Sequence, residues 1–155
     1  MRTPIDPDSI GFLINDLARQ SRAIFEHEIE AANLTVTAAE ARVLAHMART
    51  GATRQHLLAD SLGMTPMSVT GFLDRLEKSE LVERTPDPKD RRAKIVTLTE
   101  RASDILIQIS QAGRKTEQTI SEGLCPKEWD VFYRTALQLR RNIADTLVTD
   151  QKDEA

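Results

Sequence analysis

Residues Met64–Thr99, MTPMSVTGFLDRLEKSELVERTPDPKDRRAKIVTLT, decide the fold of this chain. Thr65 is suited to cap a helix, and Pro66 is suited to its first position, where the missing N–H costs nothing. From Val69 onward, apolar residues recur at positions i, i+3, i+4 and i+7, which is helical spacing. The first half of the stretch therefore predicts an amphipathic helix with a small polar outer face.

The second half of the stretch predicts a β-hairpin wing. Segments 81–85 and 95–98 are rich in residues that favour strands. Pro86 and Pro88 lie between them and favour a turn, because proline cannot continue a strand ladder. Residues 84–94 contain five basic and two acidic side chains, although the whole chain has a net charge of −3. The loop is therefore locally positive and suited to contact phosphates.

Within this loop, Asp90 is spaced to pair with Arg92 and to hold its guanidinium extended. An extended arginine fits a narrow minor groove, where the negative potential of DNA is strongest. The alternative is a charged hairpin that is merely solvated. The polar helix that precedes the loop favours the DNA-binding interpretation over this alternative.

The segments before this stretch predict the rest of a helix-turn-helix unit. Thr37 and Glu40 have the spacing of a capping box at the start of a second helix. Thr53 is predicted to cap a short third helix, which Gly63 closes. Two short helices joined at Gly63, the second with small polar side chains outward, have helix-turn-helix geometry.

Longer amphipathic helices are predicted at both ends of the chain. The first helix is predicted to begin at Asp6 or Ser9, with Pro7 in its opening turn, and to end at Asn33. The fifth helix is predicted to begin at Thr99 and to end at Gly123. The sixth is predicted to begin at Pro126. The last two helices carry heptad-like apolar seams, which need a partner to bury them. A dimerisation domain built from both ends of the chain would supply that partner.

We therefore predict a mainly α fold with a small β-wing. Residues 35–99 are expected to form a winged helix-turn-helix DNA-binding domain. Residues 1–34 and 100–150 are expected to form a helical dimerisation region, and residues 151–155 a frayed tail.

Composition restricts the function classes further. The 155 residues are 40% apolar and 29% charged, an ordinary balance for a chain with a buried core. One cysteine excludes an intramolecular disulfide framework and fits a reducing compartment. The N-terminus has no apolar run typical of a secretory signal, and no stretch approaches the roughly 20 apolar residues of a membrane span. We therefore expect a cytoplasmic protein without a membrane partner.

An enzyme is a disfavoured alternative. The three histidines, His27, His46 and His56, are dispersed and lack metal-ligand spacing. The chain contains neither a glycine-rich phosphate loop nor a nucleophile elbow. We therefore predict no catalytic residues, no metal site and no cofactor.

The wing sequence also carries a family signature. Asp90-Arg91-Arg92-Ala93-Lys94-Ile95-Val96-Thr97-Leu98-Thr99 resembles the pattern of the MarR family of winged-helix regulators, in which an Asp, any residue and an Arg precede a strand ending in Leu-Thr. Leu62-Gly63, Leu76-Glu77 and Leu81-Val82-Glu83-Arg84 match the family in order. The resemblance implies a homodimer that places the fourth helix in a major groove and the wing in a minor groove. It also implies a small molecule or oxidant that tunes DNA affinity.

Two residues depart from the family pattern. Glu80 stands where the family often closes the recognition helix with glycine, so the helix is expected to end differently or to accept strain. Gly71 lies on the exposed face, where many relatives have a longer polar side chain. Either Gly71 allows a close approach to the groove, or base contacts have moved to Thr70 and Arg75.

The predicted site is a DNA-binding surface with three parts. At the start of the third helix, the residues predicted to contact phosphates are Thr53, Arg54 and Gln55. On the fourth helix, the predicted DNA-binding residues are Thr65, Met67, Ser68, Thr70, Gly71 and Arg75. In the wing they are Lys89, Arg91, Arg92 and Lys94, oriented by Asp90. Arg75 is the predicted contact for guanine. Two-fold symmetry predicts a pseudo-palindromic double-stranded operator, with half-sites about one helical turn (~10 bp) apart.

Two alternatives stay open from the sequence. A winged-helix protein-interaction module without DNA binding is compatible with the acidic net charge and with Gly71. Cys125 either caps or packs at the start of the sixth helix, or senses oxidants, since a helix N-terminus lowers a thiol pKa. The effector and any ligand-binding residues are not identified.

Overall fold

The computed structural model describes residue 6 and residues 8–153, with side chains described to residue 147. Its elements are α1 (Ile10–Ala31), α2 (Ala38–Thr50), β1 (Thr53–Arg54), α3 (Gln55–Leu62), α4 (Pro66–Lys78), β2 (Val82–Pro86), β3 (Lys94–Leu98), a 3₁₀ turn (Glu100–Ala102), α5 (Ser103–Ile120) and α6 (Pro126–Asp153). The strands form an antiparallel sheet in the order β1-β3-β2. The predicted mainly α fold with a small β-wing is confirmed.

The chain divides into two compact units, one ending at Glu117 and the other beginning at Gln118. The first unit has a continuous apolar core, to which α1 through α5 and both wing strands contribute. Its largest fully buried side chains are Ile29, Leu44, Met47, Leu58, Leu73, Leu76, Val43, Val69, Val82 and Val96. Fully burying one such side chain contributes about 1.5–3 kcal/mol, so this core positions α3, α4 and the wing together. The second unit contains α6.

Two predicted helix caps are present. The Thr37 hydroxyl accepts a hydrogen bond from the Glu40 N–H at 3.2 Å, and the Glu40 carboxylate accepts one from the Thr37 N–H at 2.8 Å. This is the predicted capping box at the start of α2. At the start of α4, the Thr65 hydroxyl accepts from the Ser68 N–H at 3.1 Å, and Pro66 occupies the first helical position.

The predicted cap at Thr53 is wrong. Thr53 lies in β1, where its backbone pairs with Val96 of β3, and Arg54 pairs with Ile95. Arg54 is the residue that precedes the first turn of α3, and it provides no side-chain cap. Its extended backbone lets it end a strand and begin a helix at the same position. The sheet therefore has a third strand that the sequence analysis did not predict.

The start of the fifth helix also differs from the prediction. The chain after Thr99 forms the 3₁₀ turn before α5 begins at Ser103. The Thr99 hydroxyl provides no cap for that turn and instead donates to the Glu80 carbonyl oxygen at 2.6 Å. Thr99 therefore connects the end of β3 to the end of α4.

The remaining helix limits agree with the sequence in most places. Ser9 precedes α1, without a side-chain cap, and left-handed Asn33 follows its end. Gly123 is left-handed in the turn after α5, and Pro126 begins α6. Pro7 lies outside the described residues. Of the predicted frayed tail, residues 151–153 belong to α6, and residues 154–155 lie outside the described part.

The end of α4 shows the strain that Glu80 was expected to cause. Glu80 has a φ of +59°, the left-handed region that favours glycine. Its N–H donates to the Glu77 carbonyl, and the Leu81 N–H donates to the Leu76 carbonyl, each at 2.9 Å. These two bonds form a Schellman motif, which requires the left-handed residue. The Glu80 carboxylate pairs with Arg101, and both side chains are largely exposed.

Replacing Glu80 by glycine should stabilise the protein. A non-glycine residue in the left-handed region costs about 1–2 kcal/mol, whereas an exposed ion pair contributes about 0–1 kcal/mol. We therefore expect Glu80→Gly to raise the free energy of unfolding by up to about 1 kcal/mol in urea titrations. Ser79→Gly is the matched control, because Ser79 has a φ of −86° that glycine does not relieve. A Glu80→Gly protein no more stable than Ser79→Gly would contradict the assignment of strain.

Candidate nucleic-acid interface

Helices α3 and α4 meet at a tight turn centred on Gly63. Gly63 has a φ of +60°, its N–H donates to the Asp60 carbonyl, and the Met64 N–H donates to the Ala59 carbonyl. The left-handed glycine closes α3 and lets α4 begin three residues later. This is the predicted helix-turn-helix. Met67, in the first turn of α4, has a side chain that is 85% exposed, so α4 presents its outer face to solvent.

Hydrogen bonds connect the start of α3 to α4. The Gln55 side-chain amide donates to the Thr70 hydroxyl at 2.8 Å, and that hydroxyl donates to the Pro66 carbonyl at 2.9 Å. Gln55, predicted as a phosphate ligand, is thus a bridge between the two helices. The Thr65 and Ser68 hydroxyls bond to each other at 2.8 Å at the start of α4.

A groove of about 420 Å³ lies between α3, α4 and the wing. It brings together side chains that are far apart in the sequence. Its lining consists of Gln55, His56, Pro66, Thr70, Arg84, Arg92, Ala93 and Lys94. Four of the predicted DNA-binding residues, from all three parts of the predicted surface, therefore line one groove.

The wing is attached to the start of α3 by an ion pair between Arg54 and Asp87. The Arg54 Nε donates to Asp87 Oδ2 at 2.6 Å, and the Lys89 N–H donates to Asp87 Oδ1 at 2.8 Å. Asp87 is only 4% exposed. The Lys89 N–H, more than the Arg54 guanidinium, holds the pKa of Asp87 below its usual value. From the sequence, Arg54 was predicted to bind phosphate and the segment around Pro86 and Pro88 to turn, and this pair was not predicted.

Asp90 shapes the wing tip, but not as predicted. Its carboxylate accepts from the backbone N–H of Arg92 at 3.0 Å, and its carbonyl accepts from the Ala93 N–H at 2.9 Å. The expected pairing with the Arg92 guanidinium is absent among the described contacts. Asp90 therefore fixes the turn through the backbone, and the Arg92 side chain is exposed. Exposed cations surround it at the tip: Lys89, Arg91 and Lys94.

Arg84 connects α4 to β2. Its guanidinium bonds to Glu77 at 2.5 and 3.1 Å and to Asp74 at 2.7 Å, and its side chain is only 13% exposed. The hydrogen bond from Arg84 holds the pKa of Glu77 below its usual value, and the same bond raises the pKa of Arg84. Arg84 is therefore a structural cation whose charge is balanced within the fold.

Arg75, the predicted guanine contact, is bound to α2. Its Nε donates to Glu40 Oε1 at 2.6 Å, and its guanidinium lies over the Phe72 ring, 5.2 Å from the centroid. Burial raises the pKa of Glu40, but hydrogen bonds from Thr37 and Arg75 outweigh burial and hold the pKa below its usual value. The sequence identified Glu40 only as a capping residue.

Cys125 lies at the start of α6, in the second unit. Its side chain is exposed, and its N–H donates to the Glu128 carboxylate at 2.7 Å. That bond lowers the pKa of Glu128. The capping alternative from the sequence thus has a structural counterpart, and redox sensing stays a prediction. Within the described residues, no group of three or more His, Cys, Asp or Glu side chains could hold a metal ion.

Two short helices joined by a glycine turn, followed by a β-hairpin wing with an exposed basic tip, define a winged helix-turn-helix protein. The MarR family model matches residues 36–94, from the start of α2 to the start of β3. Over these residues the chain is similar to the MarR family of winged-helix transcription regulators. In the part of the chain that the structure describes, no helix has both the length and the apolar character needed to cross a membrane.

Solved structures of this family share the fold over most of the chain. Apo wild-type MarR from E. coli aligns with a TM-score of 0.74 at 24% identity, covering 87% of this chain and 98% of that one. A cysteine-to-serine mutant of E. coli MarR complexed with operator DNA aligns with a TM-score of 0.65 at 25% identity. The alignment covers 84% of this chain and 92% of that one. BpsR from Bordetella bronchiseptica aligns with a TM-score of 0.66 at 25% identity, covering 92% of this chain and 99% of that one. The DNA binding of BpsR is regulated by 6-hydroxynicotinic acid.

The contribution of Asp87 to stability should depend on pH. The pKa of Asp87 is lower in the folded chain than the roughly 3.9 of an unfolded aspartate, so the unfolded chain binds more protons in this range. Its contribution is complete above pH ~4 and is lost as the pH falls through the folded pKa. We expect the difference in unfolding free energy between the parent and Asp87→Asn to shrink below pH ~4 in urea titrations.

A surface carboxylate provides the control for this measurement. Asp130 pairs with Arg134 on α6, and both side chains are more than half exposed, so Asp130→Asn should change stability little. If parent and Asp87→Asn differ by the same amount at pH 7 and pH 3, the Asp87 carboxylate does not stabilise the wing.

Proposed function

We propose that this protein is a dimeric, sequence-specific DNA-binding repressor whose DNA affinity is modulated by a small molecule. The observation that carries the proposal is the wing, whose exposed cations project beside the outer face of α4 from a loop held by two aspartates. In this proposal α4 enters a major groove and the wing enters the neighbouring minor groove. The protein represses by occupying the operator.

The chemistry of each surface supports this arrangement. Arg92 is exposed at a turn that Asp90 closes through the backbone, so its guanidinium is available to a narrow groove of high negative potential. Lys89, Arg91 and Lys94 supply further charge for phosphates. The start of α3 has no side-chain cap, so its first backbone N–H groups are available to a phosphate. Thr53 and Arg54, at this start, are proposed to lie against the DNA backbone.

On α4, the proposed base contacts lie on the exposed face. Met67 and Ser68 stand in its first turn, and Gly71 and Arg75 follow on the next two turns. Thr65 and Thr70 are engaged within the protein, and we propose that they fix the entry of α4 into the groove. The helix N-terminus also favours the phosphates that flank a major groove.

The proposed dimer accounts for apolar side chains that the monomer leaves exposed. On α1 and on α6, large apolar residues are at least two-fifths exposed: Ile10, Phe12, Leu13, Ile14, Leu17, Val131, Phe132, Leu139, Ile143 and Leu147. Exposed apolar surface on this scale marks an interface. A two-fold axis through these helices would present two α4 helices to half-sites about one helical turn (~10 bp) apart.

The solved relatives support the two kinds of ligand in this proposal, operator DNA and a small-molecule effector. One E. coli MarR structure is a complex with operator DNA, and the DNA binding of BpsR is regulated by 6-hydroxynicotinic acid. We extend both properties to this chain as classes: a duplex operator, and a small-molecule effector whose identity is open.

A winged-helix protein-interaction module is the second candidate, because the chain has a net charge of −3. The two candidates differ in their response to salt. A DNA-binding protein that contacts several phosphates loses affinity steeply as salt rises, through counterion release. Absence of duplex binding at low salt would favour the interaction module.

Arg92→Ala should weaken operator binding by about tenfold at constant salt, which corresponds to about 1.4 kcal/mol. The physical reason is the loss of the guanidinium from the minor groove, while the turn persists because Asp90 holds the backbone. Fluorescence anisotropy with a labelled duplex measures the affinity, and light scattering verifies the dimer. Arg114→Ala removes an equal charge from α5 and is expected to bind within twofold of the parent. Equal affinities for the two variants would refute the role of the wing.

Ile143→Glu should convert the dimer into monomers. The substitution places a charge on the exposed apolar seam of α6, where a second copy would have to desolvate it. Sedimentation equilibrium at micromolar concentration measures the mass. Asn142→Glu adds the same charge at the adjacent, exposed polar position and is expected to remain dimeric. A dimeric Ile143→Glu protein would exclude this face of α6 from the interface.

A further inference from the structure

Gly71 and Arg75 stand one helical turn apart on the exposed side of α4. Side chains on a helix lean toward its N-terminus, so Arg75 covers the surface over the preceding turn. One terminal nitrogen of its guanidinium, Nη1, lies 3.8 Å from the position that a Cβ at residue 71 would occupy. This is an ordinary van der Waals distance, so the guanidinium ends over residue 71 of the preceding turn.

The guanidinium is held there from two other sides. Its Nε donates to Glu40 at 2.6 Å, and the Phe72 ring lies beneath its central carbon at 5.2 Å. Glu40 is only 5% exposed, and its second oxygen is occupied by the Thr37 N–H at 2.8 Å. Because both oxygens have partners in fixed elements, the carboxylate cannot turn away without leaving a buried donor or acceptor unsatisfied.

This arrangement gives the two ends of the guanidinium different roles. The described hydrogen bond uses Nε, so the two terminal amino groups remain to donate outward, and the Arg75 side chain is 56% exposed. Paired N–H donors in a fixed plane match the O6 and N7 acceptors of guanine in the major groove. A lysine at this position would provide charge without that planar fork.

We propose that Glu40 is a positioning residue for base recognition: it holds Arg75 over Gly71 so that the terminal amino groups of Arg75 select a guanine in each half-site. The inference rests on the proposed DNA-binding function and adds specificity to it. It assigns a role to a carboxylate on α2, outside the helix that enters the groove.

The test begins with selection of bound sequences from random duplexes by the parent protein. The discrimination ratio is the affinity for the selected operator divided by that for the same operator with one guanine per half-site changed to adenine. For the guanine contacted by Arg75, we expect a ratio of about ten or more in the parent. Arg75→Lys should reduce it by at least about threefold, because an ammonium on a flexible stem lacks the planar pair of donors that matches O6 and N7 together.

Glu40 is tested with two variants that change the positioning in different ways. Glu40→Gln has one acceptor oxygen, which serves either Thr37 or Arg75 but not both. Glu40→Asp keeps the charge at the start of α2 but is one methylene shorter, so it does not reach Arg75. Each should lower the ratio at the same guanine by at least about threefold, while affinity for the adenine operator changes less than about twofold. If Glu40→Gln does not fold, the discrimination ratio of Glu40→Asp decides the test.

Glu26→Gln is the matched control, because it removes a carboxylate from another helix-to-helix ion pair, with Arg42 at 3.6 Å. Its ratio should equal that of the parent. A purely structural role for Glu40 would lower affinity for both operators equally and leave the ratio unchanged, which would overturn the inference. A parent that selects a motif with no base position sensitive to Arg75→Lys would also overturn it, with the proposed function intact. A parent that selects no motif would overturn both.

Discussion

The ion pair between Arg54 and Asp87 is the interaction on which the interface depends. It joins the residue that precedes α3 to the loop of the wing across 33 positions of sequence. Asp87 is buried, and a buried carboxylate without partners is costly, so the wing loop is stable only where Arg54 and the Lys89 N–H meet it. The base of the wing is thereby fixed, and the cations at its tip are left to solvent.

The same design recurs on the other side of α4. A buried carboxylate, Glu40, holds an arginine whose outer end is exposed, and the carboxylate also closes a helix cap. Exposed ion pairs contribute little, because water and salt compete for both partners. Here one partner of each pair is buried, so breaking the pair would strand a charge inside the protein. Arg84 differs, because two carboxylates enclose it and its charge stays within the fold.

Signals contained within one helical turn were predictable from the sequence. The capping box of Thr37 and the cap at Thr65 depend on residues three positions away. The left-handed residue after α4 was expected from the family resemblance, in which glycine often stands at the position of Glu80. The partners of Arg54 and Arg75 were not predictable, because each lies more than thirty residues away and is brought close only by the tertiary fold. Arg54 and Arg75 were consequently assigned to DNA alone. Strand β1 was missed because two residues are too few to show an alternating pattern.

That short strand has a mechanical consequence. β1 runs directly into α3, and its backbone is hydrogen-bonded to β3, so α3 and the hairpin form a single lever. A strand of five residues is roughly 16 Å long, so tilting α3 by about 10° would carry the hairpin tip through about 3 Å. Such a displacement is about the length of a hydrogen bond and is enough to break a contact made by an arginine at the tip. A small tilt of α3 would thus become a larger displacement at the hairpin tip.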